Sequence, residues 1–206
     1  MCNESPDCDV VVDFDRTIFD TEGLETDLYQ ICHRHGISPG ILRKKQTKVE
    51  SELPVFNFFD MVLNSELLKK RKLKILIAEL ESFLQENSSN YIFADVFPFL
   101  EKLKAKGLKI AVFTFGDVTF QMAKYLASGL AKYTDMVSVT DSEKCENRQM
   151  FENPGTIFID DRSDHIDSVK KRFPHVQSIH VMRPGSKYTE PAKLADRVVH
   201  SLDIEL

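Results

Sequence analysis

The sequence predicts an α/β fold: a Rossmann-like parallel sheet with helices on both faces, plus an inserted all-helical segment. Three observations predict it. The β-branched run Val10-Val11-Val12 leads straight into Asp13 and Asp15, and an unbroken apolar run reads as a strand buried on both faces. Residues 24–87 contain no convincing strand, only apolar residues at helical spacing. From residue 98 onward, short apolar strands alternate with amphipathic helices, the pattern of a parallel sheet with right-handed crossovers. The chain therefore divides into an α/β core of residues 1–20 and 88–206 and a helical insertion of residues 21–87.

The first strand covers residues 9–14, and residues 16–23 follow as a polar, irregular stretch. Leu24, Leu28, Ile31 and Cys32 recur at helical spacing. Ser38-Pro39 reads as a helix start, with Ser as cap and Pro in the first position. Residues 55–63 form an apolar, phenylalanine-rich helical segment. Ser65 is the expected cap of a long helix whose apolar side is Leu67, Leu68, Ile75, Leu76, Leu80 and Leu84. Asn87-Ser88-Ser89-Asn90 ends it. Residues 98–106 form the next helix, closed by Gly107. A strand at 108–113 runs into Thr114-Phe115-Gly116-Asp117, with Asp117 as the cap of a helix over 118–127. Residues 136–139 are a third strand, and 156–159 a fourth that ends in Asp160-Asp161. Ser163 is the expected cap of a helix reaching Arg172, stopped by Pro174. Residues 178–182 form a fifth strand, and Val198-Val199 a sixth at the edge.

The chemistry follows from where these strands end. Side chains two apart in an extended chain point the same way, so Asp13 and Asp15 lie together beyond the first strand. Two like charges that close cost free energy unless something compensates, and a divalent hard cation taking oxygen ligands is the usual compensation. Thr114 ends the second core strand, and Asp160 and Asp161 end the fourth. Parallel strands share one carboxyl edge, where open α/β sheets place their ligands. Four carboxylates and a hydroxyl therefore converge on one crevice.

Composition narrows the classes. The 206 residues carry 42% apolar and 29% charged side chains, ordinary for a soluble globular protein. The net charge of −5 argues against a nucleic-acid partner, and the basic run Lys69-Lys70-Arg71-Lys72 reads as a solvated helix face. Cys2, Cys8, Cys32 and Cys145 contain no Cys-x-x-Cys pair, which argues against a zinc site or a disulfide framework. There is no basic-then-apolar leader, and no apolar run approaches the roughly 20 residues needed to span a membrane. A reduced, cytoplasmic protein with no membrane partner, a monomer or homodimer, is expected. His33, His35, His165, His175, His180 and His200 show no ligand spacing, although Arg162 and His165 follow the acidic pair closely enough to shape the site.

Asp13-Phe14-Asp15-Arg16-Thr17 resembles the first motif of the haloacid dehalogenase-like (HAD) superfamily, Asp-x-Asp-x-Thr after an apolar strand. Ile110-Ala111-Val112-Phe113-Thr114 is similar to its second motif, and Thr156-Ile157-Phe158-Ile159-Asp160-Asp161 to its fourth. A helical segment inserted just after the first motif resembles the family's C1-type cap. The third motif, a lysine, is the departure. Lys144 is the best candidate and Arg148 the runner-up, and the proline that often follows the family's lysine is missing.

The resemblance implies a magnesium-dependent phosphatase acting on a small phosphorylated metabolite. Asp13 would be the nucleophile and Asp15 the general acid and base. Thr114 and Lys144 would hold the phosphoryl oxygens, with backbone amides of Phe14, Phe115 and Gly116 as further donors. Magnesium would be bound by Asp13, by the Asp15 carbonyl, and by Asp161 with Asp160 or Asp164 supporting it. The register stays open: paired acids favour Asp161, whereas acids four apart select Asp160 and Asp164. Thr17 would orient the loop. Asp15 discriminates within the family, because carbon–halogen hydrolases lack an acid there and P-type ATPases carry Thr. A phosphomutase, or a phospho-ligand-binding module without turnover, is the alternative. The insertion is expected to serve as a lid, with Phe19, Phe56, Phe58 and Phe59 more readily core than pocket.

Overall fold

The computed structural model describes residues 8–53, 55–65 and 67–206. Cys2, and with it the first seven residues of the expected core segment, lies outside the described residues. The chain forms two compact units.

One unit comprises the described residues up to Asp20, Ile92–Phe115 and Leu130–Leu206. Its centre is a six-stranded, all-parallel sheet of β1 (Val10–Val12), β2 (Ile110–Phe115), β3 (Met136–Thr140), β4 (Ile157–Asp160), β5 (Gln177–Val181) and β6 (Arg197–Val199). The spatial order is β3-β2-β1-β4-β5-β6. β1 is central because its three valines are fully buried and pair on both sides, Val10 with Ile110 and with Ile157. The order reverses at β1, which makes the β1/β4 boundary a topological switch point. Two helices, α5 (Val96–Ala105) and α7 (Ser163–Arg172), lead into β2 and link β4 to β5. Right-handed crossovers running in opposite directions from β1 put these helices on opposite faces of the sheet. Phe113, Phe151, Phe158, Ile166, Val169 and Phe173 form the core beside α7, with the Phe151 and Phe158 rings packed edge-to-face at 5.2 Å.

The other unit comprises Thr21–Tyr91 and Gly116–Gly129. It is helical: α1 (Thr21–Arg34), α2 (Pro39–Glu52), α3 (Phe58–Leu63), α4 (Lys70–Asn87) and α6 (Val118–Ser128). Leu24, Leu28, Ile31 and Cys32 of α1 and Leu76, Leu80 and Leu84 of α4 are buried. α4 packs on α6. Asn57 caps α3 by accepting from the Phe59 and Asp60 amides and donates to Asp117 at 2.9 Å. Asp117 caps α6 through the Phe120 amide at 2.9 Å.

Several element details depart from the sequence reading. Ser65 does not cap α4; its hydroxyl accepts from the Leu67 amide at 3.4 Å in a local turn, and the helix starts at Lys70. Leu67 therefore lies outside the helix, and Ile75 is 56% exposed, because the buried face runs through Leu76, Leu80 and Leu84. Ser163 is the first residue of α7 rather than its cap, which is Arg162. α5 begins two residues before Pro98, a position whose missing N–H costs nothing in a first turn. The phenylalanine-rich helix is shorter than expected, starting at Phe58. Phe19 and Phe58 are fully buried core residues. Gly107 closes α5 as expected: at φ 77° it lets the Leu108 amide reach the Leu103 carbonyl at 3.2 Å. Among the described residues, no helix is long and apolar enough to cross a membrane.

Candidate active site

The chain leaves β1 at Val12 and folds back at once. The Asp13 amide still donates to the Ile159 carbonyl at 2.8 Å, holding this residue against β4. The Phe14 carbonyl then accepts from the Ile18 and Phe19 amides at 3.1 and 3.0 Å. The Phe14 and Phe19 rings stack at 4.7 Å beneath the turn. Arg16 sits at φ 63°, a left-handed conformation that a non-glycine residue adopts only where its surroundings enforce it. This turn carries Asp13, Asp15 and Thr17.

Lys144 enters from the loop after β3, in a single helical turn over Lys144–Glu146. Its side chain is fully buried, and its ammonium donates to Asp13 at 2.5 Å and to Asp160 at 2.7 Å. The expected lysine thus reaches the expected nucleophile without the proline. Arg148 does not join it. Its guanidinium pairs with Glu152 at 2.8 Å and is 75% exposed.

The two acids after β4 have different surroundings. Asp160 is fully buried and accepts three hydrogen bonds: from Lys144, from the Arg162 amide at 2.8 Å and from His165 Nδ1 at 3.2 Å. Burial would raise its pKa, but Lys144 and His165 outweigh that and hold it well below the usual range. Asp161 is also buried, yet its Oδ1 receives only a long contact from Thr17 Oγ1 at 3.5 Å, and its Oδ2 has no partner among the described residues. Burial, followed by the charges of Asp13 and Asp160, pushes Asp161 up to about 9. Asp13 is raised to about 6, by burial opposed by Lys144. Lys144 is itself raised: burial would lower it, but Asp13 and Asp160 prevail.

Ligand oxygens of Asp13, Asp160 and Asp161 lie within 4.8 Å of one another. Lys144 bridges two of these acids and the Arg16 guanidinium also acts on Asp161, yet three ionised acids so close still repel one another. The donors are all hard oxygens, and Asp161 presents a buried oxygen that no described residue satisfies. A divalent hard cation fits that set. Asp160 is engaged by protein donors, and Asp164 is 64% exposed in a two-pronged pair with Arg162 at 3.0 and 2.5 Å. Among the described residues, Asp161 keeps a buried carboxylate oxygen without a hydrogen-bond partner.

Thr114 is buried at the end of β2, and its hydroxyl has no partner among the described residues. Phe115 ends that strand, and Gly116 follows at φ 147°, where a Cβ would stand 2.7 Å from the Gln121 side chain. Asp15 is half-buried, and its carboxylate is not part of the three-acid cluster. Two residues the sequence reading did not place are His180, on the Asp161 carbonyl at 2.8 Å, and Arg183, on the Thr17 carbonyl. The available signal was a polar residue inside an apolar strand, in Ser178-Ile179-His180-Val181.

Known proteins share this fold. A family model described as haloacid dehalogenase-like hydrolase matches residues 10–154. No curated protein sequence matches the chain. A putative haloacid dehalogenase-like hydrolase from Burkholderia xenovorans superposes with a TM-score of 0.75 at 18% identity, covering 97% of this chain and 100% of that one. A HAD phosphatase from Thermococcus onnurineus gives 0.61 at 20% identity, covering 94% and 93%. The L-2-haloacid dehalogenase from Xanthobacter autotrophicus gives 0.64 at 16% identity, covering 94% of each chain. Phosphatase and dehalogenase thus share this fold almost equally, and the fold does not choose between their chemistries. With the family match spanning well over half of the chain and the acids and lysine gathered where strands β1 and β4 end, this protein belongs to the haloacid dehalogenase-like hydrolases.

Proposed function

We propose that the chain is a magnesium-dependent phosphatase that hydrolyses a small phosphate monoester through an aspartyl-phosphate on Asp13. The observation that carries the reading is the pairing of Asp13 with the buried Lys144 at 2.5 Å beside an oxygen of Asp161 that has no partner among the described residues. A carboxylate nucleophile must approach an anionic phosphate, and cationic groups at that point reduce the repulsion. Magnesium held by Asp13, Asp161 and the Asp15 carbonyl would neutralise charge on the phosphoryl oxygens.

The chain's own residues supply the rest. An Asp13 oxygen attacks phosphorus, and the ester oxygen leaves with a proton from Asp15. Asp15 then takes a proton from the water that cleaves the phosphoenzyme. Lys144 and the Thr114 hydroxyl hold phosphoryl oxygens, with the Phe115 and Gly116 amides as further donors. Asp160 keeps Lys144 in place. Asp15 favours phosphate esters over carbon–halogen bonds, because an alkoxide needs a proton and a halide does not. Phosphate-monoester hydrolysis needs acceleration of up to ~10²¹-fold, which justifies nucleophile, acid and metal together. The segment 21–87 serves as the cap and carries specificity. The buried thiols of Cys8, Cys32 and Cys145, with Cys8 donating to the Met136 sulfur at 3.3 Å, support a reducing, cytoplasmic setting. The net charge of −5 supports a small metabolite over nucleic acid.

The test is hydrolysis of para-nitrophenyl phosphate with and without magnesium, by wild type and Asp13→Asn, followed by a panel of metabolite phosphates. Magnesium-dependent release lost in the variant supports the reading. Halide release from a 2-haloacid, with every phosphate ester refused, contradicts it.

A further inference from the structure

His180 and Arg183 stand at and just beyond the end of β5, and each holds the backbone of a different acid-bearing loop. Arg183 donates from Nε and Nη2 to the Thr17 carbonyl at 3.1 and 2.9 Å. The same guanidinium donates from Nη1 and Nη2 to Asp95 at 2.5 and 3.0 Å. Asp95 also accepts from the Leu202 amide at 2.7 Å. The guanidinium lies 4.3 Å from the centre of the Phe93 ring, and the side chain is only 6% exposed. Four of its five N–H donors are therefore spent on fixing one carbonyl of the loop after Asp13 and on bracing itself. A lysine, with one point charge, could not do both.

His180 performs the matching task on the loop after β4. It is fully buried in β5. Its Nδ1 accepts from the Ala192 amide at 3.1 Å, which leaves the proton on Nε2, and Nε2 donates to the Asp161 carbonyl at 2.8 Å. The two loops are fastened again by Tyr188, whose ring centre is 5.6 Å from the guanidinium carbons of both Arg16 and Arg162. Neither His180 nor Arg183 belongs to the acidic cluster. Yet the loops they hold present carboxylates that repel each other, and such an arrangement persists only when surrounding contacts over-determine it.

We propose that Arg183 and His180 are positioning residues that fix the loops bearing Asp13 and Asp161 at the spacing a divalent cation requires, and so set the affinity of the acidic pair for that cation. This rests on the metal-binding reading given above. Hydrogen-bonding partners behind metal ligands typically change metal affinity by roughly 10–100-fold when removed.

The test is titration of the full chain with Mn2+ alone, following the paramagnetic resonance signal of the free ion, with folding of each variant checked by circular dichroism. Arg183→Met is expected to weaken Mn2+ binding by roughly 10–100-fold, and Arg183→Lys to weaken it by a smaller factor. His180→Leu is expected to weaken binding too. His180→Gln, which can accept from Ala192 and donate to Asp161, is expected to restore it. If Arg183→Met does not fold, Arg183→Lys, which keeps a cation beside Asp95, decides the matter. Folded Arg183 and His180 variants that bind Mn2+ as tightly as wild type overturn the positioning role and leave the metal site standing. A wild type that binds no Mn2+ overturns both.

Discussion

Lys144 is an ammonium with no access to water, held between two carboxylates. Removing one partner from a buried ionic group costs about 3–5 kcal/mol, because the remaining charges stay desolvated. Lys144→Met should therefore lower stability by about that amount in urea unfolding, as well as abolish turnover. Asp15 makes a different prediction. Asp15→Asn should reduce turnover of an alkyl phosphate by roughly 10²–10⁴-fold. The loss should be smaller for 2,4-dinitrophenyl phosphate, whose leaving group needs no proton, as measured by pre-steady-state release. Asp13 and Asp15 were legible because they follow the apolar run of β1, and Thr114 because it follows the apolar run of β2. Lys144 was legible only as the best-placed lysine of a loop, and Arg183 not at all. Their roles depend on contacts with residues more than a hundred positions away in the chain, which local pattern does not encode.

Among the elements, α4 shows how far periodicity reaches. Leu76, Leu80 and Leu84 are buried as helical spacing requires, whereas the neighbouring Ile75 is exposed. Hydrophobicity alone cannot assign the phase when two apolar residues are adjacent. Leu80→Ala should cost about 2–5 kcal/mol and Ile75→Ala no more than about 0.5 kcal/mol, measured as changes in unfolding free energy. Helix starts were the least legible feature, because Ser65 and Ser163 are good caps by type yet sit four and one residues away from the observed caps, Lys69 and Arg162. Between elements, the Asp95–Arg183 pair gives a pH dependence. Burial would raise the Asp95 pKa, but the Arg183 fork and the Leu202 amide lower it below its ordinary 3.8. A depressed folded-state pKa contributes stability that is present above the unfolded value and is lost as pH falls through the folded one. Asp95→Asn should therefore cost about 2 kcal/mol near neutral pH. That difference should shrink below about pH 4, as read by denaturant midpoints across a pH series.

At the scale of the whole molecule, the order β3-β2-β1-β4-β5-β6 places β1 and β4 side by side, and the chemistry at their carboxyl ends follows from that adjacency. The fold class was legible because a valine run buried on both faces suits only the middle of a parallel sheet. Substrate identity was not, since specificity depends on side chains whose arrangement no short motif records. Because the folded chain gathers three acids around one lysine, a cation that binds only the folded state should stabilise it. Magnesium at about 100 times its dissociation constant should add about 2.7 kcal/mol to wild type and little to Asp161→Asn, as measured by thermal unfolding. The central claim is that phosphorus is carried on Asp13. The most direct measurement is to quench the enzyme during turnover of a phosphate ester, reduce it with borohydride and map the product by mass spectrometry. An acyl phosphate is reduced to the alcohol, so position 13 should be converted to homoserine only when substrate and magnesium are both present. Turnover with no conversion at position 13, or conversion at Asp15 or Asp161 instead, would contradict the account.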